Sequence, residues 1–290
     1  MSESPDTANT NDVIRILFLG DVMGEPGRDA IAALLPGLKE EMAADFVIVN
    51  GENSAGGRGI TPKIAIALMR AGATVITTGD HIWDQKDIVP YFAEEPRLLR
   101  PVNYPEGVPG QGSIVLETKK GKVGVINVQG RTYMKMLLED PFRAMDAEVA
   151  KLREETPVIF VDMHAETTSE KVAMGWYLDG RVSAIVGTHT HVQTADERVL
   201  PEGTAFLCDS GMCGPVDSVI GMEVEAALYR LTTSLPGRHV VARGPVKLCG
   251  AVVDVDAATG RALRIERVQR MWEEEKAGAK AEAQKAEGQD

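Results

Sequence analysis

Seven side chains in this sequence are placed to hold a cation: Asp21, Glu52, Asn53, Asp80, His164, His189 and His191. Each stands within a few residues of the C-terminal end of a short apolar run, the runs being 16–19, 46–49, 74–77, 158–161 and 182–186. All seven are oxygen or nitrogen donors, and no thiolate joins them. A catalytic zinc usually takes three protein ligands. Seven donors therefore exceed the needs of one ion and suit two ions about 3.5–4 Å apart that share a carboxylate. Mixed imidazole and carboxylate donors favour iron or manganese, with zinc next, over magnesium or calcium, which prefer all-oxygen shells. The chemistry such a pair supports is hydrolysis of a phosphate ester. His81, beside Asp80, adds a group able to pass a proton.

The elements that must position these groups are legible around them. Runs this short, rich in β-branched residues and ended by Gly, Asn or Asp, predict buried strands of a sheet covered on both faces. In an open α/β sheet, ligands bind outside the carboxyl ends of the strands. Gly187, after the run 182–186, is expected to turn the chain sharply so that His189 and His191, spaced i, i+2, reach the same neighbourhood.

Between the strands, Arg28 to Leu35 predicts a helix that Pro36 and Gly37 interrupt or bend, with Leu38 to Met42 as its continuation before the second strand. Thr61 followed by Pro62 predicts an N-cap and a helix to Ala71. Residues 84–111 carry Pro90, Pro96, Pro101, Pro105 and Pro109, so only short helices are expected there. Segments 114–117 and 123–128 predict a hairpin. Helices are predicted over 143–153, 168–178 and 223–231, and strands over 205–208, 239–242 and 246–255. Strands alternating with helices, then hairpins, define an α/β protein with one mixed sheet or two packed sheets. Residues 1–12 are expected to form a disordered N-terminal tail and 271–290 a charged C-terminal tail, with a single domain over 13–270.

Bulk properties narrow the function. The chain has 290 residues, 44% of them hydrophobic, which allows one large core or two small ones. A net charge of −12 argues against a stable nucleic-acid complex, which needs many Lys and Arg on phosphates. Three cysteines without framework spacing argue against a secreted disulfide scaffold. Neither a signal peptide nor a membrane-length apolar stretch is present, so a cytoplasmic location is expected and no membrane partner. His239 reads as structural. Gln193, Thr194 and Asp196 are expected to orient His191, and Arg131 and Thr132 to form an ordinary loop.

The order Gly-Asp, Gly-Glu-Asn, Gly-Asp-His, Asp-Met-His, Gly-Thr-His-Thr-His resembles the calcineurin-like metallophosphoesterases, and within them the YmdB-like family of bacterial cyclic-nucleotide phosphodiesterases. The likeness extends through 97–105, 165–171, 174–180 and 194–198, over nearly all of 13–270. It implies a metallophosphoesterase-like sandwich of two packed mixed β-sheets flanked by helices. By that resemblance Asp21, Glu52, Asn53 and His191 hold one ion, while Glu52, Asp80, His164 and His189 hold the other. Glu52 then bridges, and His81 is the catalytic proton donor. Implied with them are a small nucleotide substrate, 2′,3′-cyclic nucleoside monophosphates first, attack by a hydroxide bridging the ions, and a homo-oligomer. Met23 stands where the wider superfamily carries a histidine, in agreement with the YmdB-like branch. Asp80 departs from both, which place Asn there. Alternatives on the same metals are a phosphomonoesterase or protein phosphatase, or a regulatory protein with little turnover.

Overall fold

A computed structural model describes residues 12–273. The expectations for residues 1–11 and 274–290 lie outside the described residues. Among the described residues, thirteen strands and six helices follow one another. The first sheet contains β1 (Val13–Leu19), β2 (Asp21–Val22), β3 (Phe46–Asn50), β4 (Val75–Thr77), β11 (Met212–Pro215), β12 (Val246–Asp256) and β13 (Ala262–Trp272). Its order is β2-β11-β12-β1-β3-β4, with β13 on the other edge of β12. The second holds β5 (Ser113–Thr118), β6 (Gly121–Gln129), β7 (Ile159–His164), β8 (Ala184–Thr188), β9 (Arg198–Val199) and β10 (Ala205–Leu207), in the order β5-β6-β7-β8-β10-β9. Both sheets are mixed. β1, β3 and β4 run parallel, as do β6, β7, β8 and β10, while the β5–β6 hairpin is antiparallel.

The two sheets pack face to face. Between them lie Ile16, Phe18, Ile48 and Val75 from the first, and Val123, Val125, Phe160 and Val186 from the second. Phe18 and Phe160 meet with ring centroids 5.2 Å apart. Helices α1 (Gly24–Glu41) and α2 (Pro62–Ala71) cover the outer face of the first sheet through Ile31, Leu35 and Leu68. Helices α4 (Pro141–Arg153) and α5 (Thr168–Tyr177) cover the second through Met145, Val149 and Met174. Burial on both faces explains why the site-bearing strands are continuous apolar runs rather than alternating ones. The chain is thus a two-sheet sandwich flanked by helices, with both sheets' strand ends at one rim.

Four local expectations need correction. Helix α1 begins at Gly24 rather than Arg28 and, uninterrupted at Pro36, runs on to Glu41, in line with the continuation over 38–42. Ala32, four residues earlier, is exposed as Pro36 is, so the carbonyl that loses its amide partner stands on the solvent side of the helix. Gly187 makes no turn, because it lies within β8. A Cβ there would stand 1.8 Å from the Cys208 carbonyl oxygen, so its role is close approach between strands. Residues 239–242 form no strand beyond an isolated bridge at Val241. Instead β13 occupies 262–272, so Met271 and Trp272 pair with Lys247 and Val246 rather than opening a tail. The hairpin, the Thr61 cap on α2 and the single four-residue helix in the proline-rich stretch, α3 (Ile88–Tyr91), form as the residues predict.

Candidate metal centre

Asp21 follows β1, Glu52 and Asn53 follow β3, Asp80 follows β4, His164 ends β7, and His189 and His191 follow β8. The sandwich brings all seven to one rim. Glu52, Asp80, His164 and His189 each place one ligand atom within 4.8 Å of the others. His164 Nε2 is 2.9 Å from Glu52 Oε2, 3.2 Å from Asp80 Oδ1 and 3.0 Å from His189 Nδ1. Beside this group, His191 Nε2 lies 3.2 Å from Asn53 Oδ1 and 3.9 Å from Asp21 Oδ1. Asp21 also accepts the His189 amide at 3.2 Å, which ties the two groups together.

Local structure holds each ligand in place. His189 and His191 adopt φ of 94° and 66°, a region that non-glycine residues enter at a cost of order 1–3 kcal/mol each. That strain directs both imidazoles back over the strand ends. Asp209 offsets it: its carboxylate accepts from the Thr190 amide at 3.2 Å, the Thr190 hydroxyl at 2.6 Å and the Gly211 amide at 2.8 Å. His191 Nδ1 donates to the Ile220 carbonyl at 2.9 Å, leaving Nε2 for a ligand role. Gln193, Thr194 and Asp196 do not orient it. They hold Gly250, Asp209 and Cys208 backbone groups instead.

The electrostatics call for a cation. Asp21 Oδ1 is buried without a hydrogen-bond partner among the described residues, and the buried Glu52 Oε2 has only the close contact of His164 Nε2 at 2.9 Å. Burial pushes the Glu52 carboxyl up to about 8, against the opposing charge of His164. Burial alone would lower the His164 imidazole, yet the Glu52 charge and hydrogen bonds to Asp80 and Glu52 raise it well above its usual value. Burial opposes the Asp80 charge too, but hydrogen bonds from His164 and His189 hold its carboxyl well below the usual range. So many inward lone pairs in one dry place must share protons or a metal ion. The donors present therefore fit metal ions, with Asp80 among the converging atoms.

A cavity of about 250 Å³ opens beside the cluster, lined by Met23, Asn53, His81, His189, His191 and, at its rim, Arg58 and His239. His239 is therefore part of the pocket wall rather than a structural residue of a strand. Nothing in its sequence neighbourhood marks that, because its segment reaches the site only through the tertiary path. Glu166, whose Oε2 lies 3.0 Å from His189 Nε2, is equally unmarked in the sequence. Arg131 and Thr132 donate their amides to Glu170 and form a loop, as expected.

A two-sheet sandwich with this cluster at its strand ends is of the metallophosphoesterase type. The chain belongs to the YmdB-like protein family, whose pattern matches residues 17–268. It is 50% identical over 255 residues to a 2′,3′-cyclic-nucleotide 2′-phosphodiesterase of Bacillus subtilis, covering 88% of this chain and 96% of that protein. Among solved structures it is similar to a novel phosphatase of Mycoplasma pneumoniae, with a TM-score of 0.85 at 36% identity, over 90% of this chain and 95% of that one. A hypothetical protein of Thermus thermophilus matches with a TM-score of 0.82 at 40% identity, over 90% of this chain and 100% of that one.

Proposed function

We propose that this protein is a two-metal phosphodiesterase that hydrolyses nucleoside 2′,3′-cyclic monophosphates. The observation that carries this is the buried cluster of Glu52, Asp80, His164 and His189 adjoining Asp21, Asn53 and His191 at an open cavity. The kinship to the Bacillus subtilis phosphodiesterase supports the substrate class.

In this proposal Asp21, Glu52, Asn53 and His191 hold one ion, and Glu52, Asp80, His164 and His189 the other, with iron or manganese preferred over zinc. When bound, the ions supply Lewis-acid polarisation of the phosphoryl oxygens and a field that acidifies water. The protein does the rest by placement. Glu52 accepts the His81 amide on Oε1 at 3.0 Å, which fixes the carboxylate with Oε2 toward the cluster. Asp84 Oδ2, 3.1 Å from His81 Nδ1, orients that ring and leaves Nε2 to hand a proton to the departing ribose oxygen. Burial lowers the His81 pKa, with the charges of Asp80 and Asp84 opposing, so its proton is given up more readily than that of an exposed histidine. Arg58, at the cavity rim, supplies positive charge for the phosphate.

The partners proposed are this small nucleotide and a second copy of the chain. Helix α6 (Val224–Thr233) buries none of its residues, and Val224, Leu228 and Leu231 are exposed on it. Glu225 lies in its first turn and Arg230 in its last, so a two-fold antiparallel pairing sets acid against base. No described helix is long and apolar enough to cross a membrane. The cysteines are all buried and unpaired, which suits a reducing compartment, and we place the protein in the cytoplasm.

The test is a substrate panel with metal content measured alongside: 2′,3′-cyclic AMP, 3′,5′-cyclic AMP, an aryl phosphodiester and an aryl phosphomonoester. Highest kcat/KM on the 2′,3′-cyclic nucleotide, with about two ions per chain, is expected. Preference for the monoester, or no turnover by protein carrying both ions, overturns the proposal.

A further inference from the structure

Asp162 lies two residues before His164, fully buried between the sheets, and its hydrogen bonds go to side chains outside the cluster itself. Its carboxylate nevertheless gathers three hydrogen bonds from both sheets. Asn50 Nδ2 donates at 2.9 Å and Thr77 Oγ1 at 2.5 Å, from the ends of β3 and β4. Thr188 Oγ1 donates at 2.7 Å, from the end of β8. All three donors are fully buried, so no solvent substitutes for the carboxylate.

Two of those donors reach onward to the metal ligands. The Thr188 hydroxyl has one proton, and it is spent on Asp162. The His164 Nδ1 atom, 2.9 Å from that oxygen, must therefore be the donor of the pair. This fixes a proton on Nδ1 and leaves Nε2, which in the cluster as it stands donates to Glu52 and Asp80, as the atom whose lone pair would be offered to an ion. Asn50 works the same way on the other sheet. With its amide nitrogen committed to Asp162, its Oδ1 accepts the Glu52 amide at 3.0 Å and fixes the start of the loop that carries the bridging carboxylate.

We propose that Asp162 is the positioning residue of the centre, acting through Thr188 on His164 and through Asn50 on Glu52. One buried anion thus sets the donor direction of two side chains that come from different sheets. Partners of this kind are commonly worth about 10–100-fold in metal affinity. The proposal rests on the two-metal reading above, and its test separates the two.

The full chain is stripped of metal and titrated with Mn²⁺ at fixed pH, with binding followed by electron paramagnetic resonance and calorimetry. Wild-type protein is expected to take up two ions. Thr188→Val keeps the shape of the side chain and removes the hydroxyl, so one ion should be retained and the other weakened by about 10–100-fold. Thr188→Ser restores the hydroxyl and should restore affinity. Asp162→Asn is expected to weaken binding as well, while circular dichroism reports a native fold. Wild-type affinity for both ions in Thr188→Val, or equal loss in Thr188→Ser and Thr188→Val, overturns the relay, since affinity would then not follow the hydroxyl. Wild-type protein that binds no Mn²⁺ sinks the metal reading and the relay with it.

Discussion

Lys171 Nζ and Asp209 Oδ2 stand 2.7 Å apart with both side chains 1% exposed, an ion pair sealed under the loop that carries His189 and His191. The same Asp209 carboxylate holds the Thr190 and Gly211 amides, so the lysine neutralises the charge on which that loop is hung. Lys171→Met leaves the anion buried and alone. Loss of about 3–5 kcal/mol of stability is expected, measured by urea unfolding of metal-free protein. A cost below about 1 kcal/mol would show that Asp209 finds another partner.

Gly79 precedes Asp80 and leaves room for the cluster. A Cβ at this position would stand 1.6 Å from Glu52 Oε2 and 2.3 Å from His164 Nε2. Gly79→Ala must push both ligands aside, and displacements of about 1 Å cost catalysis on the order of 100-fold. Elemental analysis should find less than the wild-type metal content, with activity down at least that far. Full metal content and activity would mean that the rim yields without disturbing the ligands.

Asp80 brings a charge where the family resemblance leads one to expect a carboxamide. Hydrogen bonds from His164 and His189 hold its carboxyl well below the usual range, despite burial. Asp80→Asn removes one negative charge and keeps an oxygen donor. Both ions and at least about a tenth of the activity should survive, and the pH–rate profile should lie at lower pH than that of the wild type, because fewer anions beside the cations make the attacking water more acidic. An unchanged profile and unchanged metal affinity would place Asp80 outside the ligand sphere.

The exposed face of α6 predicts self-association. Light scattering should give the protein a mass at least twice the 31.2 kDa of one chain, and Leu231→Glu should return it to the single-chain value. A monomeric wild type would remove α6 as a subunit contact.

The strands that bear the site were legible because they are buried on both faces, where an unbroken apolar run is the signature, and because each ends in a group that solvation alone does not require. β13 was not. Its buried positions, Ala262, Ile265 and Val268, fall every third residue, which is closer to a helical spacing than to the alternation of a strand. His239 and Glu166 escaped for a different reason: they reach the pocket through loops whose path no local pattern encodes. Asp162 stood in plain view beside His164, but its value depends on Asn50, Thr77 and Thr188, and only the packed sheets bring those together.

The place of β12 in the first sheet has a consequence for how the protein is made. β12 pairs with β1 from Val13↔Asp256 to Leu19↔Gly250, so the first strand waits for nearly the last. A ribosome delivers every proposed metal donor, His191 included, well before it delivers residue 256. Until then β1 keeps a bare hydrogen-bonding edge beside carboxylates and imidazoles already able to bind metal. Long-range pairings of this kind form slowly and leave strand edges open to wrong partners. A chain truncated before β12 therefore carries all the proposed ligands while the β1 edge of the first sheet stands unpaired.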